Sequence, residues 1–132
     1  MRYEELVKLY FERSAALQGY WTIYLVIAGG LLAFSSMRKD KDLITGVLIT
    51  VLFCCFAYKN LDAIHDVIDQ RGAAVKLIKD TPATPEIAAA RQALEPTLVA
   101  PDYPGTRNFH IFSDVLVLLA LWAMELRRWK LD

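Results

Sequence analysis

What this chain lacks narrows it first. It carries no net charge, with 15 Lys and Arg against 15 Asp and Glu. A nucleic-acid binder needs a surplus of cations facing the phosphates, so no nucleic-acid partner is expected. Cysteine is scarce: Cys54 and Cys55 are adjacent and lie inside an apolar run. Neighbouring cysteines do not bridge each other without strain, and no second pair exists to build a disulfide framework. The pair reads as two small apolar side chains of a helix. Catalytic signatures are missing too. No Gly-rich phosphate loop opens a helix, no nucleophile has a base at motif spacing, and HExxH does not occur. The expectation is a protein that is not an enzyme. A cleavable signal is also not evident, because the first apolar run follows Glu4, Glu5 and Glu12 and lacks a small-x-small exit.

Long apolar runs are what the chain has in plenty. Hydrophobic residues make up 55% of it, above the roughly 45–50% of soluble domains, and they are gathered into three stretches. The sharpest is GYWTIYLVIAGGLLAF, residues 19–34, sixteen residues without a charge. A soluble helix needs a polar face, and this one has none, so it reads as a membrane span. The fold class is therefore all-α: an integral membrane protein with three transmembrane helices. The spans are placed at 16–37, 43–58 and 109–129, in a single domain.

The connector RKDKD, residues 38–42, is a tight turn, so the first two spans form a helical hairpin. Residues 1–15 are rich in helix formers with apolar and charged sides, and predict an amphipathic helix running into the first span from near Tyr3. Beyond Lys59, residues Leu61, Ile64, Ile68, Val75 and Ile78 recur at helical steps. The second span should thus continue out of the membrane as an amphipathic helix over 59–79, weakened at Gly72. Residues 80–108 form a Pro-rich loop with a short helix near 85–95, started by Thr84 and Pro85. Residues 130–132 are a tail.

Several residues stand out as candidates. Gly29, Gly30 and Ala33 form one small patch and Gly46, Thr50 and Cys54 another, and the two are expected to meet and zip the hairpin together. Tyr20, Trp21, Tyr24 and Trp129 are expected as interface anchors. Asp114 lies a turn and a half into the third span, and an ionisable group at that depth is a functional candidate: with His110 it is a pore or proton site. Asp62, His65, Asp66 and Asp69, spaced i, i+3, i+4 and i+7, offer imidazole and carboxylate to a divalent metal, with His110 as a further ligand. The two histidines also raise a haem pocket between helices. No cofactor is expected beyond these metal or haem possibilities.

Basic residues near the span ends decide orientation, and they divide six against six. Those of the turn and C-terminus are the more densely packed, which favours that side as cytoplasmic. The tract FERSAALQGYWTIY resembles bacterial membrane proteins in style, so a bacterial inner membrane is the expected location. The functional expectation is an interaction or scaffold subunit in the lipid bilayer, forming a homo-oligomer or binding another membrane protein. The alternative is a small oligomeric pore or effector with Asp114 facing the lumen.

Overall fold

The computed structural model describes residues 1–82 and 84–131. Helix α1 spans Tyr3–Met37, α2 Leu43–Asp80, α3 Ala88–Leu94 followed by one 3-10 turn at Glu95–Thr97, and α4 Tyr103–Lys130. No strand occurs among the described residues. Three of these helices, α1, α2 and α4, are long and apolar enough to cross a bilayer. Their outer surfaces agree with that reading. Leu25, Val26, Ile44, Leu52, Phe112 and Leu119 are all at least 60% exposed, a belt that water would not tolerate on a small soluble domain.

Local chemistry sets the helix ends. The Asp42 carboxylate accepts hydrogen bonds from the backbone N–H groups of Ile44 and Thr45 at 3.0 and 3.2 Å, capping α2. Asp102 caps α4 through the Gly105 N–H at 3.3 Å, and Pro104 stands in the first turn where no N–H is needed. This cap starts α4 six residues before the expected Phe109. Helix α3 begins at Ala88, three residues after the expected proline start. Helix α2 passes through Gly72 without interruption.

Helices α1 and α2 run antiparallel along their whole length. Tyr3, Leu6 and Tyr10 pack with Ala74, Val75 and Ile78; Leu17 packs with Ile64, Val67 and Ile68; Tyr24 and Ala28 pack with Phe53 and Ala57. Helix α4 joins through Val117 and Leu121 at the last of these levels. With 35 and 38 residues, α1 and α2 are about 52 and 57 Å long, so each projects roughly 25 Å beyond a 30 Å hydrocarbon core.

The projecting halves are strapped together by the segment that carries Arg91 and Val99. The Tyr10 hydroxyl donates to the Val99 carbonyl at 2.8 Å and accepts from the Val99 N–H, while Arg71 donates to both the Tyr10 hydroxyl and the Val99 carbonyl. Arg91 donates to the carbonyls of Ile78, Lys79 and Thr81, closing the open end of α2, and pairs with Glu95 at 2.6 Å.

The expected small-residue seam between α1 and α2 is not how the spans pack. A Cβ on Gly29 or Gly30 would meet nothing within 4 Å, and Ala33 and Cys54 are exposed. Gly46 and Thr50 pack instead on Trp122 of α4: a Cβ on Gly46 would lie 3.6 Å from the indole, whose Nε1 donates to the Thr50 hydroxyl at 3.0 Å. The bulky indole fills the notch that Gly46 leaves, while the α1 and α2 seam is built from Tyr24, Ala28, Phe53 and Ala57.

Candidate functional site

Among the described residues, four polar ones are buried in the bundle: Ser35, Asn60, His110 and Glu125. They fall into two clusters. His110 and Glu125 are fifteen residues apart on α4, about 22 Å.

The first cluster is built on His110, whose side chain is fully enclosed. The rings of Trp21 and Tyr24 pack on the imidazole at centroid distances of 5.4 and 4.7 Å. Its Nε2 lies 3.0 Å from Asn60 Oδ1, and its Nδ1 lies 2.9 Å from Asp114 Oδ2. Asp114 Oδ1 accepts the Tyr24 hydroxyl at 2.8 Å, and Asn60 Nδ2 donates to the Tyr20 carbonyl at 3.1 Å. One chain of hydrogen bonds therefore runs through α1, α2 and α4.

This geometry fixes the protons. A backbone carbonyl only accepts, so the Asn60 atom facing Tyr20 must be the amide nitrogen. Its carbonyl oxygen is then left to His110, and Nε2 must carry a hydrogen. The 2.9 Å contact between Nδ1 and Oδ2 consequently holds one further proton, on imidazolium or on carboxylic acid. Either way the pair is neutral as a unit, which is the form a low-dielectric site accepts. Asp114 keeps 19% exposure toward a groove between α2 and α4, about 290 Å³, lined by Cys54, Ala57, Tyr58 and Leu118.

The second cluster surrounds Glu125, which is 2% exposed. Arg128 donates to Glu125 Oε2 through Nε at 3.1 Å and also through Nη2, and donates through Nη1 to the Ser35 carbonyl at 2.7 Å. Arg38 stands 3.7 Å from the same carboxylate. Glu125 Oε1 accepts from the Asp42 N–H at 3.0 Å and from Trp129 Nε1 at 3.2 Å. This cluster thus ties the end of α1, the start of α2 and the last turns of α4. Beside it, the hydrogen bond from the Thr45 hydroxyl holds the Asp42 carboxyl below the usual carboxylate range, helped by the backbone N–H groups it caps.

Of the expected site residues, His110 and Asp114 come together as a pair, with Tyr24 as their third member. Tyr24 is therefore not an interface ring: it is 3% exposed, with its hydroxyl turned into the bundle. Trp21 and Tyr20 are half-buried, and Trp129 is exposed with its N–H on Glu125. Both Asp114 oxygens are hydrogen-bonded within the chain.

The expected metal set does not assemble. His65 stacks on Tyr103 at 3.7 Å and lies 3.5 Å from Asp69, Asp62 and Asp66 are exposed, and His110 sits in a separate cluster. No group of three or more His, Cys, Asp or Glu side chains among the described residues is placed to hold a metal ion. Nor do His65 and His110 face each other as haem ligands, because His110 has both ring nitrogens bonded within the protein.

Asn60 and the partners of Glu125 escaped the sequence reading. Asn60 lies past the expected end of the second span, and the Arg38 and Ser35 contacts join residues about ninety positions apart. The one available signal was a carboxylate near the end of an apolar run, followed three residues later by Arg128. No family model, curated protein or solved structure matches this chain.

Proposed function

We propose that this chain is a membrane-embedded interaction subunit that associates with a second copy of itself through the outer face of α1. The observation that carries this reading is the outward placement of Gly29, Gly30 and Ala33, small residues that the fold of the single chain leaves unused. Beside them lies an apolar groove of about 610 Å³ between α1 and α4, bordered by Trp21, Leu25, Gly29, Leu32, Phe109 and Leu116. In lipid, small residues let a neighbouring helix approach closely, and van der Waals packing replaces the hydrophobic drive that water supplies. The strapped extension outside the bilayer adds a rigid surface beside this face, consistent with binding rather than catalysis.

In this reading the hairpin of α1 and α2 sits in a bacterial inner membrane with its short connector and the C-terminal end of α4 in the cytoplasm. The dense cations Arg38, Lys39, Lys41, Arg127, Arg128 and Lys130 support that orientation.

The test is Gly29→Leu combined with Gly30→Leu, examined by crosslinking in native membranes and by size in mild detergent. Both positions are open to the outside, so helicity and melting temperature should stay as in the unaltered chain while the oligomer is lost. A monomeric unaltered chain, or an oligomer that survives both leucines, overturns the reading.

A further inference from the structure

The ends of α1 and α4 enclose a cavity whose walls point to a ligand of one chemical class. It measures about 400 Å³ and is lined by Arg38, Lys39, Arg127 and Arg128, with Met124 and Leu131 as its apolar part. Its place is fixed by the fold. Helix α1 ends at Met37 and α4 at Lys130, so the cavity lies where both spans leave the hydrocarbon for the headgroup layer.

Two of the four cations are held in position. Arg128 is anchored to Glu125 and to the Ser35 carbonyl, and Arg38 is held by Glu125 and by the Asp42 carbonyl at 3.2 Å. Of the two acids in the connector, Asp42 is turned onto the N-terminus of α2. Asp40 is exposed and outside the lining, and Glu125 is one buried carboxylate beside four lining cations, so positive charge dominates the cavity. Guanidinium groups with fixed planes suit phosphate oxygens, while a methionine and a leucine beside them suit the start of an acyl chain.

We infer that this cavity binds the phosphate headgroup of one anionic phospholipid, with its glycerol backbone against Met124 and Leu131. Basic pockets between spans at the headgroup level meet anionic lipids in the leaflet, which supply such a phosphate at high local concentration. Arg38 and Arg128 form the fixed part of the site, and Lys39 and Arg127, both exposed, close over the headgroup.

Native mass spectrometry of the full chain in mild detergent tests this, with phosphatidylglycerol and phosphatidylcholine of equal chain length as probes. One phosphatidylglycerol adduct should form with a preference of at least about tenfold. Lys39→Gln with Arg127→Gln leaves the Glu125 contacts intact and should bring the two lipids to within about twofold of each other. Lys8→Gln with Lys59→Gln, which alters the opposite end, should leave the preference unchanged. Equal binding of both lipids overturns the inference, as does a preference that survives Lys39→Gln with Arg127→Gln. Displacement of the adduct by millimolar inorganic phosphate also overturns it, because the site would then serve free phosphate.

Discussion

At one end of the bundle Asn60, His110, Asp114 and Tyr24 pass hydrogen bonds along a chain that is neutral as a unit. At the other, Glu125 gathers two guanidinium groups and two N–H donors around a single carboxylate. Both clusters join the same three helices, α1, α2 and α4, yet they solve the problem of buried polarity differently. The His110 cluster avoids net charge by sharing one proton between imidazole and carboxylate. The Glu125 cluster keeps full charges and surrounds its carboxylate with guanidinium and N–H donors. The two clusters, one toward each end of the bundle, thus differ in how the buried charge is met: one is neutralised by a shared proton, the other by opposite charges.

The largest expected effect breaks the charged cluster. Glu125→Ala leaves Arg38 and Arg128 facing each other and frees the connector from α4, and should cost about 3 kcal/mol in unfolding by denaturing detergent. A loss below about 1 kcal/mol would mean that the arginines relax into the headgroup layer and the comparison is false. The neutral cluster should be cheaper to disturb. His110→Ala leaves Asn60 and Asp114 each short of a partner and should cost about 2 kcal/mol by the same measurement. Replacing His110, Asn60 and Asp114 with apolar residues, together with Tyr24→Phe, should recover part of that loss, since removing every partner is milder than removing one.

The smallest effect sharpens the contrast at the connector. The Asp42 carboxyl is held below its ordinary range, so its ionised form is the one the fold favours. Its contribution is present above the unfolded-state value and is lost as pH falls through the folded one. Thermal melts should therefore fall on the acid side, and Asp42→Asn should flatten that part of the profile.

The three spans and the long reach of α1 and α2 were legible because apolar runs and helical periodicity are written along the chain. The start of α1 at Tyr3 and the end of α2 at Asp80, one residue past the expected Lys79, follow from helix formers that nothing interrupts. The start of α4 was not legible in the same way. Pro101 and Pro104 suggested a loop, whereas Pro104 in fact sits in the first turn behind the Asp102 cap. The facing of Gly29, Gly30 and Ala33 was hidden for a different reason. Lipid and protein interior are both apolar, so periodicity along a span does not say which face meets which. Tyr24 illustrates the same limit: an aromatic near a span end suits the interface and the interior alike, and Asp114, ninety positions away, draws it inward.

The continuity of α1 and α2 across the membrane surface has a mechanical meaning. Neither helix has a break along its length, so a tilt of the part in the bilayer would be carried to the far tip. A tilt of about 5° within the bilayer sweeps a tip 25 Å away by roughly 2 Å. Because Arg71, Tyr10 and Val99 tie the two helices to one strap, the two tips would move together.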